Sequence, residues 1–328
     1  NLEVGQISVV GIVGFAGAAE QHDGFSAQLL RLFEVLHDEI AGYLPEGDRR
    51  FPETRKKVWA HRSTTQKEPL MKRVVPGILI ALCWFFLLFK GSIALFIAVI
   101  SVIAIWATDE YVRMAGGQRF SLLQRILLDV LLPLPLFATM MTGNVATGAL
   151  SGLLLAFGLL ALFTFATYAD FADSYDLFCR MAFGTIYLGV LSTFVLGLRL
   201  LPEGGSWLLV LTAITAGSDT GAYYVGRAYG KNKLCPFISP NKTREGAVGG
   251  FALAVPAAVL FAGIFLADPP WLIITIAAFV LTGAGIAGDL TESIIKRGTG
   301  VKDSGHCLGG HGGILDRIDS LLFCAPVL

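Results

Sequence analysis

The chain has 328 residues, 54% hydrophobic and only 15% charged, with a mean hydropathy of +0.66. A soluble domain carries about a quarter charged residues, so this composition excludes an ordinary soluble globule, and its long apolar blocks mark an integral membrane protein. The formal net charge is zero, and without a polybasic face the chain does not read as a nucleic-acid binder.

Residues 1–70 differ from everything that follows. "EQHDGFSAQLLRLFEVLHDEIAGYL" predicts an amphipathic helix with Leu29, Leu30, Phe33, Leu36 and Ile40 on one stripe. "PEGDRRFPETRKKVWAHRSTTQKEP" reads as a polar linker. This segment is a polar N-terminal extension, regulatory or of fusion origin, and its composition does not say which. Residues 71–328 form the transmembrane domain.

From Met71 onward the apolar runs are 74–89, 92–108, 126–141, 145–168, 181–201, 206–226, 248–267, 271–288 and 320–328. They predict an all-α polytopic protein with about nine transmembrane helices. The last run is short of the roughly 20 residues that a span needs, so the ninth helix is expected to be truncated. No internal repeat is visible. If nine spans alternate, the basic loops all fall on one side, including Arg113, Arg119, Arg125, Arg180, Arg227, Lys231, Lys233 and Lys296. Little beyond Lys90 and Arg199 falls on the other. The positive-inside rule makes the basic side cytoplasmic. The small-residue stripe "GALSGLLLAFG" (148–158) permits close helix packing, in a homodimer or within the chain. The five cysteines show neither a CxxC pair nor zinc spacing and read as reduced.

Three polar stretches share the cytoplasmic side: 218–234, 238–250 and 288–319. Asp219 lies inside an apolar run, where an ionisable group is functional by default. If the eighth helix continues past Asp289, then Asp289, Ser293, Lys296 and Arg297 share one face. Asp316 and Asp319 share another. Carboxylates without cysteine partners suit a hard cation such as Mg²⁺, held together with substrate phosphates. Lys242, Arg244, Lys296, Arg297 and Lys302 supply positive charge for phosphate oxygens, and "GGHGG" (309–313) lets backbone N–H groups approach an anion. There is no GxxxxGK[ST], so this is not a P-loop. His306 reads as a loop hydrogen-bonding residue, while His311 is open between substrate contact and shaping the turn. Acid, base and glycine without a nucleophilic triad point to phosphoryl chemistry.

"SIIKRGTGVKDSGHCLGGHGGILDRID" (293–319) resembles the signature of the bacterial-type phosphatidate cytidylyltransferases, also called CDP-diacylglycerol synthases. The match runs through Ser293, Lys296, Arg297, Lys302, Asp303, His311, Gly312, Gly313, Asp316, Arg317 and Asp319. "SDTGAYYVGRAYGKNKL", "ISPNKTREG" and "GDLTES" stand upstream in the family's order. The resemblance covers 71–328, with its specificity in 218–250 and 288–319. Gly309 departs from it, standing where the family has proline, and this loosens the turn.

The resemblance implies Mg²⁺-dependent transfer of the cytidylyl group from CTP to phosphatidic acid, giving CDP-diacylglycerol and pyrophosphate at the cytoplasmic face of the inner membrane. A second cation is compatible with the carboxylate count. Under this reading Asp289, Asp316 and Asp319 are metal ligands, joined by Asp219. Lys296 and Lys302 are catalytic. Lys242, Arg244, Ser293, Arg297, His311, Gly312 and Gly313 contact substrate. The alternatives are a CTP-dependent enzyme acting on another lipid (a polyprenol kinase or an archaeal-type lipid cytidylyltransferase) and an ion-coupled transporter. A transporter would place its polar site at the midplane, not at helix ends.

Overall fold

The computed structural model describes residues 70–117, 119–301, 303–305 and 312–328. The readings made for residues 1–69, and those for Lys302, His306, Cys307, Gly309 and His311, fall outside the described residues.

Eleven helices make up most of the described chain. They are α1 (Leu70–Phe89), α2 (Ile93–Gly116), α3 (Leu122–Leu131), α4 (Leu134–Thr142), α5 (Val145–Ala166), α6 (Phe171–Gly184), α7 (Leu191–Leu200), α8 (Gly204–Tyr229), α9 (Arg244–Phe265), α10 (Trp271–Gly298) and α11 (Leu315–Cys324). A π-helical turn, Thr185–Val190, joins α6 to α7 in one continuous rod. A small antiparallel hairpin, β1 (Lys233–Cys235) and β2 (Ser239–Thr243), sits between α8 and α9. The sequence reading did not foresee it.

Every apolar run predicted from sequence falls on a helix. Among the described residues, five helical segments are long and apolar enough to cross a membrane unaided, or six if α3 and α4 form one bent span. The expected count of nine is therefore not reached by length and composition. The bend between α3 and α4 is 44° and falls at Pro133, as a proline without an N–H requires. Pro256, by contrast, lies within α9, and the helix continues through it. The expected short ninth helix is α11, ten residues long.

Polar contacts tie the helices together near the ends of the bundle. At one, Arg199 donates to the Gly91 carbonyl at 3.3 Å and lies over the Phe96 ring, and the Ala267 N–H donates to Glu203. At the other, Arg180 donates to the Ala115 carbonyl at 3.2 Å and Arg119 pairs with Asp173. The interior between the ends is apolar, with Leu128, Leu132, Leu136, Met181 and Tyr187 almost wholly buried. Leu150, Leu154, Phe157 and Leu162 project outward from α5, as side chains facing lipid do.

Helix contact rests on glycine at two seams. Gly148 and Gly152 of α5 lie against the backbone of Thr139 and Pro135 in α4. Those two positions of the small-residue stripe are therefore spent on packing within the chain. The second seam sets the site. Gly221 of α8 abuts the Gly249 carbonyl of α9, and Gly249 abuts Val225. A Cβ at either position would overlap its neighbour. Gly249→Val is expected to push α8 and α9 apart and to cost about 1–3 kcal/mol, as overpacking does. The variant's melting temperature in detergent checks this; an unchanged value would show that the seam yields freely.

Candidate active site

Four segments converge at one end of the bundle: α8, the hairpin leading into α9, the C-terminal half of α10, and the start of α11. Polar groups of α8, α10 and α11, with Asp303 and Gly312, line a cleft of about 360 Å³. Its walls include Asp219, Asp289, Glu292, Lys296, Asp303, Gly312, Asp316, Arg317 and Asp319.

The hairpin is held by the first turn of α9. Glu245 accepts from the Lys231 and Asn232 N–H groups and from the Asn232 side chain at 2.8 Å. Thr243 caps α9, its hydroxyl accepting from the Gly246 N–H at 3.1 Å. Lys242 is thereby fixed one residue before the cap, and its Nζ reaches Asp289 at 2.5 Å.

Helix α10 continues to Gly298, so Asp289, Ser293 and Lys296 share a face as the spacing predicts. Ser293 donates to Asp289 Oδ1 at 3.4 Å. Glu292, which the sequence reading did not single out, sits on this wall and is 1% exposed. Lys296 Nζ bridges Glu292 Oε2 at 2.7 Å and Asp316 Oδ1 at 2.8 Å. Asp316 Oδ2 accepts from the N–H groups of Gly313 at 2.8 Å and Ser304 at 3.3 Å.

Asp289, Glu292 and Asp319 each present an oxygen within 4.8 Å of the others'. Unit charges that close repel by about 3 kcal/mol or more per pair at an effective dielectric near 20. Among the described residues, buried Glu292 Oε1 finds no hydrogen-bond partner, an expensive state for a carboxyl oxygen. Among the described residues lining the cleft, six carboxyl groups face only Lys296 and Arg317, with Lys242 reaching in toward Asp289. Three acids at one point with an orphaned oxygen make a donor set that fits a hard, oxygen-loving cation.

The other candidates divide clearly. Asp219 is exposed to the cleft rather than packed between helices, and it lies outside the three-acid group. Both Asp316 oxygens are already engaged as described above. Arg297 is half-buried and donates to the Val301 carbonyl at 3.4 Å. Arg244 begins α9, beside Lys242. Gly312 lines the cleft with a left-handed φ of 79°, where glycine is favoured. The Gly313 N–H is taken up by Asp316.

A helical membrane protein with a carboxylate- and lysine-lined cleft at one end of its bundle belongs to the class of membrane-embedded enzymes that handle phosphate groups. Residues 71–328 match the family model described as the cytidylyltransferase family. The chain belongs to that family and is a nucleotidyltransferase. It is 33% identical over 260 residues to a phosphatidate cytidylyltransferase of Bacillus subtilis, covering 79% of this chain and 96% of that protein. The enzyme of the same name in Pseudomonas aeruginosa is 34% identical over 269 residues, covering 79% and 95%. That of Staphylococcus aureus is 44% identical over 153 residues, covering 46% and 56%.

Proposed function

We propose that the chain transfers the cytidylyl group of CTP to phosphatidic acid, releasing pyrophosphate, at the cytoplasmic face of a bacterial inner membrane, with Mg²⁺ as cofactor. The observation that carries this reading is the Asp289–Glu292–Asp319 group set beside Lys242 and Lys296 at one end of the bundle. The two full-length relatives named above carry the same activity in their names, and this supports the choice of substrates.

In this reading a phosphate oxygen of phosphatidate attacks the α-phosphorus of CTP. The bond from that phosphorus to the bridging oxygen of the β-phosphate breaks, and pyrophosphate leaves with the electron pair. A phosphomonoester with a second pKa near 6 is largely ionised at neutral pH, so the site needs no strong general base. That agrees with a cleft of acids and lysines. Asp289, Glu292 and Asp319 would hold Mg²⁺, and Asp219 offers a further oxygen to a second cation. When bound, Mg²⁺ supplies charge compensation for the phosphate oxygens.

Lys242 and Arg244, at the mouth of α9, hold the triphosphate. Lys296 keeps Glu292 and Asp316 in place while presenting its charge to the cleft. Ser293, Arg297, Lys302, His311 and Gly312 complete the phosphate contacts, while Gly313, whose N–H is held by Asp316, shapes the turn. Asp316 serves as the anchor of Lys296 and of the Ser304 and Gly313 amides.

The test uses purified protein, phosphatidic acid, Mg²⁺ and CTP labelled on either the α- or the γ-phosphate. Label from the α-phosphate is expected in the lipid fraction and label from the γ-phosphate in pyrophosphate. Label from the γ-phosphate in lipid would instead make the protein a lipid kinase.

A further inference from the structure

Glu110 is a buried acid that the reaction leaves unused. It lies near the end of α2 and is 3% exposed. A carboxylate there is costly unless it is fully hydrogen-bonded. Its partners are 194 to 205 residues further along the chain. Ser304 donates its hydroxyl to Oε2 at 3.1 Å, the Ile314 N–H donates to Oε1 at 3.1 Å, and the Leu315 N–H donates to Oε2 at 3.0 Å.

Two of these donors are the first amides of α11. That helix has no side-chain cap of its own. Its unpaired N–H groups and the positive end of its dipole call for an anion, and Glu110 supplies one from another helix. The local backbone is shaped to admit it. A Cβ on Gly305 would stand 2.7 Å from Glu110 Cδ, and one on Gly313 would stand 2.8 Å from the same atom. Asp316 works in parallel, its Oδ2 accepting from the Ser304 and Gly313 amides. Ser304 is therefore held by two carboxylates at once, its hydroxyl by Glu110 and its N–H by Asp316.

We propose that Glu110 is a positioning residue for the transfer site: it caps α11 from α2 and so sets where Asp316 and Asp319 stand relative to Asp289 and Glu292. It touches neither substrate nor cation. Its effect on turnover rests on the function proposed above; its capping role rests on the geometry alone.

The test is Glu110→Gln in the full chain, purified in detergent. The amide keeps the shape but loses the charge and presents N–H groups to N–H donors. Amides of Ile314 and Leu315 should exchange with solvent about tenfold faster, while the Phe96–Ala104 amides of α2 keep their wild-type protection. Turnover should fall about 10- to 100-fold, as when the support of a metal ligand is removed. The Mg²⁺ concentration for half-maximal rate should rise, and KM for CTP should move less than kcat. A general loss of packing would not produce that split. Ser304→Ala, which removes one of the three bonds, should shift exchange and turnover in the same direction by less. Glu110→Asp, which keeps the charge, should recover part of the loss.

Unchanged exchange at Ile314 and Leu315 would overturn the cap. Faster exchange with unchanged kcat and Mg²⁺ dependence would overturn the positioning role. A wild-type protein inactive with CTP and phosphatidate would sink the proposed function, and the exchange measurements would still decide the cap.

Discussion

Asp289→Asn is expected to lower cytidylyl transfer by about 100- to 1,000-fold, the scale of losing one group that stabilises developing charge, while the protein stays folded. Asp289 stands where three demands meet: it belongs to the three-acid group, pairs with Lys242 at 2.5 Å, and accepts from Ser293. Asparagine keeps its shape and removes the charge that the first two require. Stability should change little, because the Lys242–Asp289 pair is partly open to solvent, with side chains 25% and 34% exposed. Such pairs contribute about 1 kcal/mol or less. Turnover and detergent melting temperature, measured on one preparation, check both halves. Wild-type turnover at saturating Mg²⁺ would contradict the role given to Asp289.

Lys296→Met should act differently, removing activity and stability together. The Lys296 side chain is 12% exposed and lies between Glu292 at 2% and Asp316 at 14%. Its removal leaves two buried carboxyl groups within the reach of Asp289 and Asp319 and without their cation. Breaking a buried pair from one side costs about 3–5 kcal/mol, which for a chain of this size lowers the melting temperature by about 5 °C or more. Lys296→Arg returns the charge but not the compact ammonium that bridges two acids from different helices. It should recover more stability than turnover. A Lys296→Met protein as stable as wild type would show that Glu292 and Asp316 do not depend on it.

The contrast between these two lysine–acid pairs explains what could be read from the sequence. Asp289, Ser293 and Lys296 were legible as one face because helical spacing is a local property, and α10 runs on to Gly298. Asp219 was found because an acid stands out in an apolar run. Glu292 was passed over although it lies three residues after Asp289 and four before Lys296. Spacing put it on the same wall, but nothing local showed that it would be buried with an orphaned oxygen. Glu110 was invisible for a stronger reason: its hydrogen bonds close across more than 190 residues, and no window along the chain contains both partners. Asp316 looked like a ligand by its spacing from Asp319. Only the turn before α11 showed its oxygens facing Lys296 and the Gly313 and Ser304 amides.

The fold divides in the same way. The apolar runs marked the helices because hydrophobic blocks of that length have few other fates. Span count was less secure, since Pro133 breaks one run into two helices, and α11 is short. The hairpin was missed because its strands are three and five residues long, too short for alternation to register. The stripe beginning at Gly148 raised a choice between packing within and between chains. Two of its glycines proved to face α4, which required knowing where the bend at Pro133 puts Thr139 and Pro135.

The central claim is that Asp289, Glu292 and Asp319 together form the cation site of a cytidylyltransferase. The most direct measurement is Mn²⁺ binding to the purified protein, followed by electron paramagnetic resonance in the absence of CTP and lipid. The account predicts a site in the wild-type protein that Mg²⁺ displaces competitively, and that weakens by about tenfold or more in Glu292→Gln, the loss of a full ligand charge. Equal Mn²⁺ binding by the wild type and Glu292→Gln, or no binding by either, would contradict it.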